Sequence, residues 1–219
     1  MGSYYNLEIY NKGYNIYKAK SPFEILSMTE KGSNNIKKTI KNKNLNVVIV
    51  GESITINKLK INKVKYKDID KIVKNTVISK FNNIEDVIYD YVVFEDTIVI
   101  YIVNGSGLKE IRNLILKNKI MKVLPIQFCI LEELRKSIKE SKYNIIAKHD
   151  NHIYLLKVDS HVLVENHIRE INSMEEEREN LNIILEFESK INDRGIYLYG
   201  TNEVINDEVI REFKDVKVI

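Results

Sequence analysis

The residues able to do chemistry in this chain are few and loosely grouped. All four histidines, His149, His152, His161 and His167, share one stretch with Asp150 and Asp159. A zinc site needs tight ligand pairs that close a tetrahedral set. His149 and His152 flank a turn and can approach each other. His161 and His167 are far apart along an extended segment, where each residue adds about 3.3 Å. Exposed strand and turn histidines account for this pattern, and no metal site is assigned. Cys129, the one cysteine, lies between Phe128 and Ile130. A nucleophilic thiol needs a base beside it, and none is adjacent in sequence, so Cys129 reads as a small buried hydrophobe. Glu132-Glu133 and Glu175-Glu176-Glu177 are neighbouring carboxylates on expected helices, where adjacent residues do not face each other. The second cluster sits in a first helical turn, where the dipole favours negative charge. No catalytic residue is assigned.

Phosphate binding would need backbone N–H groups that a ligand can approach, usually at glycine. It would also need a carboxylate to hold Mg²⁺ or orient water. Gly105-Ser106-Gly107 precedes an expected helix but lacks the spacing and the following lysine of a phosphate loop. Two hairpins come nearer. Leu7-Glu8-Ile9-Tyr10-Asn11-Lys12-Gly13 runs into Tyr14–Lys18, and Ile145–Asn151 runs into His152–Val158. The first offers Glu8 and a single glycine, Gly13, after the bulky Tyr10. The second offers Asp150 and no glycine. Taken alone, both are plain β-hairpins. Tyr4, Tyr5, Tyr10, Tyr14 and Tyr17 could stack on bases or bind a peptide, but composition and strand propensity explain them as well.

The elements that must position these residues follow from 219 residues, 44% hydrophobic and 30% charged. That is one large domain or two small lobes with an ordinary soluble composition. A chain of this size buries enough surface to fold without disulfides, and one cysteine allows none within it. The abundance of Ile, Asn, Lys and Tyr is the usage of a low-GC bacterial genome. Net charge is only +3. The basic run Lys37-Lys38 to Lys43 and the scattered Lys58, Lys60, Lys63, Lys65 and Lys67 fit a solvated face, so no nucleic-acid partner is assigned. A nucleic-acid module built on residues 37–67 is the least favoured reading. No apolar stretch reaches membrane-span length and the start lacks a signal-peptide pattern. A soluble cytoplasmic protein is expected.

Residues 4–19 alternate and turn at Asn11-Lys12-Gly13, predicting a hairpin. A short helix is expected over Asn35–Lys41. Leu45–Val50 is a buried strand closed by Gly51, with Ile54–Ile61 as its partner. Lys67–Ser79 is a helix with Ile69, Ile72, Val73, Thr76 and Val77 on one stripe. Tyr89–Phe94 and Thr97–Val103 are apolar on both faces, predicting two central strands. Ser106 caps a helix to about Asn118. Lys119–Leu124 is a strand stopped by Pro125, and a helix follows to about Ser141. Tyr143–Ile168 is a three-stranded meander turning at Asp150-Asn151 and Asp159-Ser160. Ser173 and Glu176 form a capping box that opens a helix to about Asn192. Gly195–Tyr199 is a strand, Asp207–Phe213 a helix and Val216–Ile219 a last strand. This is mixed α/β in two related halves with a seam near Pro125.

In this order the elements resemble the PilM family of cytoplasmic actin-like proteins of type IV pilus assembly. They are also similar to the cytoplasmic domain of the type II secretion protein GspL. The likeness spans nearly the whole chain. Leu7-Glu8-Ile9-Tyr10 stands where the family opens with Leu-Asp-Ile-Gly. Gly51, Ile54 and Ile56-Asn57-Lys58 followed by Leu59–Ile61 look like the next segment. Val123-Leu124-Pro125-Ile126 matches the crossover, Tyr143–Arg169 the meander, and Ile196–Gly200 the late strand, with Thr201 in place of a second glycine.

The resemblance implies an actin-like, ribonuclease H-like two-lobed α/β fold with an inserted helix–hairpin–helix subdomain. Residues 1–58 and part of 104–124 would form the first lobe, 59–122 the insertion and 125–219 the second lobe. Glu8, Asp150 and Gly200 would be the remnants of the phosphate and adenosine positions. Glycine and Asp are gone from the first turn and glycine from the second, so no nucleotide cofactor is expected. The implied role is a scaffold that receives the cytoplasmic segment of a membrane-anchored, PilN-like partner and links it to the assembly ATPase at the inner face of the membrane. The receiving cleft would lie near residues 45–61 and 66–103. A homodimer is compatible with the sequence. The alternative is an actin-like ATPase or kinase with atypical phosphate loops.

Overall fold

The computed structural model describes residues 4–10, 13–21, 24–25, 44–61, 64–81, 87–104, 118–173, 176, 179 and 194–219. The chain divides into two compact units, Met1–Cys129 and Ile130–Ile219.

The first unit holds two sheets. Strands β1 (Tyr4–Tyr10) and β2 (Gly13–Ala19) form the expected hairpin, closing at Tyr10 opposite Gly13. Strand β3 (Asn44–Ile49) lies parallel to β1 on its other side. Every residue from Leu45 to Val50 is buried, as a strand covered on both faces must be. Strand β4 (Ile54–Lys60) is not its partner, contrary to the expectation. β3 pairs instead with β7 (Lys119–Pro125), in parallel, and the sheet order is β2-β1-β3-β7. Gly51, at φ +80°, turns the chain away between β3 and β4. Such a turn favours glycine because a Cβ would crowd the backbone.

β4 belongs to a second, antiparallel sheet with β5 (Val87–Phe94) and β6 (Thr97–Asn104), in the order β4-β6-β5. Helix α1 (Ile69–Lys80), entered through a 3₁₀ turn at Tyr66–Asp68, covers one face. Its stripe Ile69, Val73 and Val77 packs with Ile98, Ile100 and Ile102 of β6 and with Val87. Burial of each such aliphatic side chain is worth roughly 1.5–3 kcal/mol. β6 is central, with Ile98 to Val103 all buried, but β5 is an edge that leaves Asp90, Val92 and Val93 exposed. The expectation of two central strands therefore holds for one. A run apolar on both faces does not reveal how many neighbours a strand has. The three-stranded sheet starts at Ile54, and β7 joins the first sheet. The expected helices at 35–41 and 106–118 lie outside the described residues.

Pro125 ends β7, and helix α2 (Ile126–Leu134) starts at the next residue. It stops short of the expected Ser141, where Ser137 and Ile138 donate their N–H groups to Leu134 O. The second unit carries one five-stranded sheet. β8 (Lys142–His149), β9 (His152–Asp159) and β10 (Val162–Glu170) make the expected meander. Its turns are two residues each, with positive φ at Asp150, Ser160 and His161, the geometry that suits the twist of tight hairpins. β11 (Gly195–Tyr199) adds parallel to β8 and β12 (Val216–Val218) parallel to β11, giving β10-β9-β8-β11-β12. Helix α3 (Glu203–Glu212) covers one face, with Ile205 and Val209 packed with Ile146, Ile153, Leu155, Ile196 and Leu198. It begins four residues before the expected Asp207, because the Asn202 side chain caps it by accepting Ile205 N–H at 3.0 Å. At Ser173, Oγ accepts Glu176 N–H at 3.1 Å, while the Glu176 carboxylate reaches Asn172 N–H instead of the cap residue's own. The rest of that expected helix lies outside the described residues.

Candidate functional site

The first hairpin places Glu8 inside the protein. Along β1 the side chains alternate, so Asn6, Glu8 and Tyr10 share one face of the sheet and Leu7 and Ile9 the other. Both faces are covered: Asn6, Leu7, Glu8 and Ile9 are all at 0–1% exposure. A buried carboxylate must find donors. Tyr10 Oη donates to Glu8 Oε2 at 2.5 Å and Tyr17 Oη donates to Oε1 at 2.9 Å. Tyr17 Oη also lies 2.9 Å from Glu24 O, so its one proton is shared between two acceptors. Burial, and then the Glu8 charge beside it, push the Tyr17 hydroxyl far above the ordinary phenol range. The hydroxyl keeps its proton and remains a donor. Next along the same face, Asn46 Nδ2 donates to Asn6 Oδ1 at 3.2 Å across the β1–β3 pair, and Asn6 Nδ2 donates to Glu24 O at 3.3 Å. Asn6, Glu8, Tyr10, Tyr17 and Asn46 thus form a polar row between strands.

Sequence reasoning singled out Glu8 and Tyr10 but missed the row. Its signal was present as period-two polarity in β1. That pattern normally marks a solvent face, and only the cover over that face makes it a buried network.

In the second unit Asp150 occupies the left-handed position of a two-residue turn, at φ +55°. Gly200 follows β11 at φ +63°, and a Cβ there would stand 2.7 Å from Lys148 O. The glycine lets the chain pass β8 at close range. His149 and His152 are brought opposite each other across the β8–β9 turn, both buried, with Glu170 paired to His152 on β10. Burial holds the His152 imidazole below its ordinary range, against the opposing pull of Glu170 and Asp150. His161 sits in the second turn. His167 lies on β10 with Nε2 3.0 Å from Glu165 Oε1. Among the described residues no three His, Cys, Asp or Glu side chains come together as a metal set. Cys129 is buried, and its Sγ lies 3.7 Å from Pro125 O, one turn back along α2.

Within the expected partner region, Leu45–Val50 presents no surface, because every one of these residues is buried. The accessible side chains include Thr55, Lys58 and Lys60 on β4, Tyr66 and Asp70 near the start of α1, and Asp90, Val92 and Val93 on β5. Tyr91 Oη donates to Asp70 at 2.5 Å, and this bond holds the phenol up at about 12. The far face of the sheet is anchored by Tyr101, which meets Phe128 of α2 edge-on at 4.9 Å. Gln127 Nε2 donates to Glu52 O at 2.9 Å and so ties the loop before β4 to the start of α2.

No protein-family model matches the chain, and no curated protein sequence does. Solved structures do. A Bacteroides thetaiotaomicron protein with an actin-like ATPase fold and unknown function superposes with a TM-score of 0.55 at 12% identity, covering 99% of this chain and 90% of that one. A chain of the PilM–PilN type IV pilus biogenesis complex gives 0.63 at 9% identity, covering 99% and 88%. The cytoplasmic domain of EpsL, an inner-membrane component of the type II secretion system of Vibrio cholerae, gives 0.55 at 8% identity, covering 96% and 94%. The likeness is one of fold: the chain has the actin-like fold. Among the described residues no helix is long and apolar enough to cross a membrane.

Proposed function

We propose that this chain is a docking module of a type IV pilus or type II secretion assembly platform, working without nucleotide turnover. It binds the cytoplasmic segment of a membrane-anchored partner of the PilN kind and links it to the assembly ATPase on the cytoplasmic side of the membrane. The observation that carries the reading is the state of Glu8. This is the position where the family resemblance puts the acid of the first phosphate turn. Its carboxylate is sealed under the sheet and held by two tyrosine hydroxyls. An acid that serves a phosphate-bound Mg²⁺ must reach the ligand.

The other remnants point the same way. Asp150 lies in a tight turn without the glycine that a close phosphate approach requires. The geometry at Gly200 is accounted for by its passage over Lys148 O. The residues present do not fit a nucleotide's phosphates, and no step is routed through one. What the fold retains is the segment from β4 through β6, which we assign as the inserted subdomain and the place where the partner docks.

Two measurements test the two halves of the proposal. Titration calorimetry with Mg-ATP is expected to give no saturable heat; micromolar affinity would overturn the nucleotide-free half. Co-purification with the cytoplasmic segment of a bitopic membrane protein encoded beside this chain is expected to give a stable complex. A stable complex that ignores charge reversal at both Lys58 and Asp90 would move the docking site away from this sheet.

A further inference from the structure

The three-stranded sheet has two outer edges of opposite charge. Along β5 and its turn, Asp90, Glu95 and Asp96 are exposed and no basic residue intervenes; along β4, Lys58 and Lys60 are exposed and no acidic residue does. Among the described residues neither edge has a strand beside it. Tyr91 turns its N–H outward from the ladder, where the Asp90 carboxylate covers it at 2.8 Å. In an antiparallel ladder alternate residues point their backbone groups the same way, so Tyr89, Tyr91 and Val93 offer an unfilled ladder. Val92 and Val93, each 39% exposed, flank it on the two faces.

We propose that copies of this chain associate head to tail through this sheet, with the β5 edge of one copy beside the β4 edge of the next. β4 and β5 both run antiparallel to β6 and hence parallel to each other. A copy shifted sideways keeps α1 on the same face and adds its β4 in parallel. The pairing through β6 sets Asp90 level with Ile56, Val92 with Lys58, and Phe94 with Lys60. In a sideways repeat Asp90 therefore stands one diagonal step from the neighbour's Lys58. Glu95 and Asp96 stand at the neighbour's Lys60. The lysine stems cover Val92, and the Asp90 carboxylate leaves Tyr91 N–H to a new backbone acceptor.

Charge excludes the symmetric alternatives. A β5–β5 contact sets the three acids against their own copies, and a β4–β4 contact does the same with the lysines. Like charges opposite each other oppose strand pairing. An edge lysine also deters neutral strands, so the β4 edge admits an acidic strand selectively. A heterologous contact of this kind has no two-fold axis and adds subunit to subunit, in a ring where the rotation closes and in an open chain where it does not. The inference does not depend on the docking role and needs no partner protein.

Sedimentation velocity on the full chain tests it. The average mass is expected to rise with protein concentration and to fall at high salt, where exposed charges are screened. Lys58→Glu and Asp90→Lys should each weaken association about tenfold or more. Lys58→Glu makes the contact between positions 58 and 90 acid against acid and Asp90→Lys makes it base against base, so the two variants should co-assemble when mixed although neither assembles alone. Circular dichroism checks that each variant is folded; both residues are exposed. A chain that stays monomeric at every concentration overturns the proposal. So does a closed dimer, or association that ignores the two reversals.

Discussion

The two units carry the same strand diagram and fill it differently. In the first, β2-β1-β3-β7 is an antiparallel hairpin followed by two parallel strands. In the second, β9-β8-β11-β12 repeats that plan, and β10 extends the meander. Counting back from each hairpin turn, Glu8 of β1 corresponds to Ala147 of β8, and Asn6 to Ile145. One interior face is a polar row of carboxylate, amides and phenols. The other sets Ala147 opposite Tyr154 and Ile145 opposite Leu156, with no carboxylate on the strand. The shared topology fixes where the strands run, but it does not dictate how a buried face is satisfied. A polar row must meet every hydrogen bond and thereby specifies one arrangement. A face packed through apolar and aromatic groups tolerates adjustment as long as volume is kept.

That contrast can be broken most severely by carrying the acid across. Ala147→Glu puts a carboxylate, and the volume of its longer side chain, into a packed face where Ala147 is fully buried opposite Tyr154. It should cost at least about 3 kcal/mol, seen as loss of the cooperative transition in urea or a large fall in its midpoint. A near-neutral result would mean that the second unit can open a polar pocket there. A smaller loss is expected where a donor is removed from the existing row. Tyr17→Phe leaves the Glu8 carboxylate short of a buried hydrogen bond and should cost about 1–3 kcal/mol. The exposed Tyr14→Phe should change stability by less than about 0.5 kcal/mol. Equal effects from the two would show that the Glu8 bond contributes nothing net.

The smallest effect is a pH dependence confined to the second unit. Burial holds His152 below its unfolded value, so the unfolded chain binds the proton more readily. Stability from the neutral imidazole is then complete above about pH 6.5 and is lost as pH falls through and below that value. Urea midpoints between about pH 7.5 and 5.5 should decline in the parent, and His152→Gln should flatten part of that slope. A slope unchanged in the variant would assign it to groups other than His152.

Much of this architecture was legible before any coordinates. The β1–β2 hairpin, the β8–β10 meander, the α1 stripe and the strand ending at Pro125 all announced themselves through period and turn residues. These features depend on neighbours in sequence. The errors share a cause. Adjacency in sequence points to β4 as the partner of β3, whereas its neighbours in the sheet, β1 and β7, are remote in sequence. The apolar composition of β5 matches that of β6, yet β5 is the edge and β6 the centre. The α3 start falls before Asp207 because the Asn202 cap, not the apolar period, sets it. For the candidate site, the sequence offered Glu8, Asp150 and Gly200 as residues of interest. It could not tell that Glu8 is sealed, or that Gly200 is needed for a backbone passage.

The sequence by itself determined the local alphabet of this protein. It set which segments are strands and helices, where glycine and proline stop them, and that the glycines of a phosphate grip are absent from the hairpin turns. Those properties are fixed by side-chain period and backbone sterics over a few residues. Only the tertiary structure decided that a half-polar strand is buried on both faces, that two tyrosines close over its acid, and that one small sheet carries opposite charges on its two edges. Each of those depends on which remote strands meet, and no window of sequence encodes that directly.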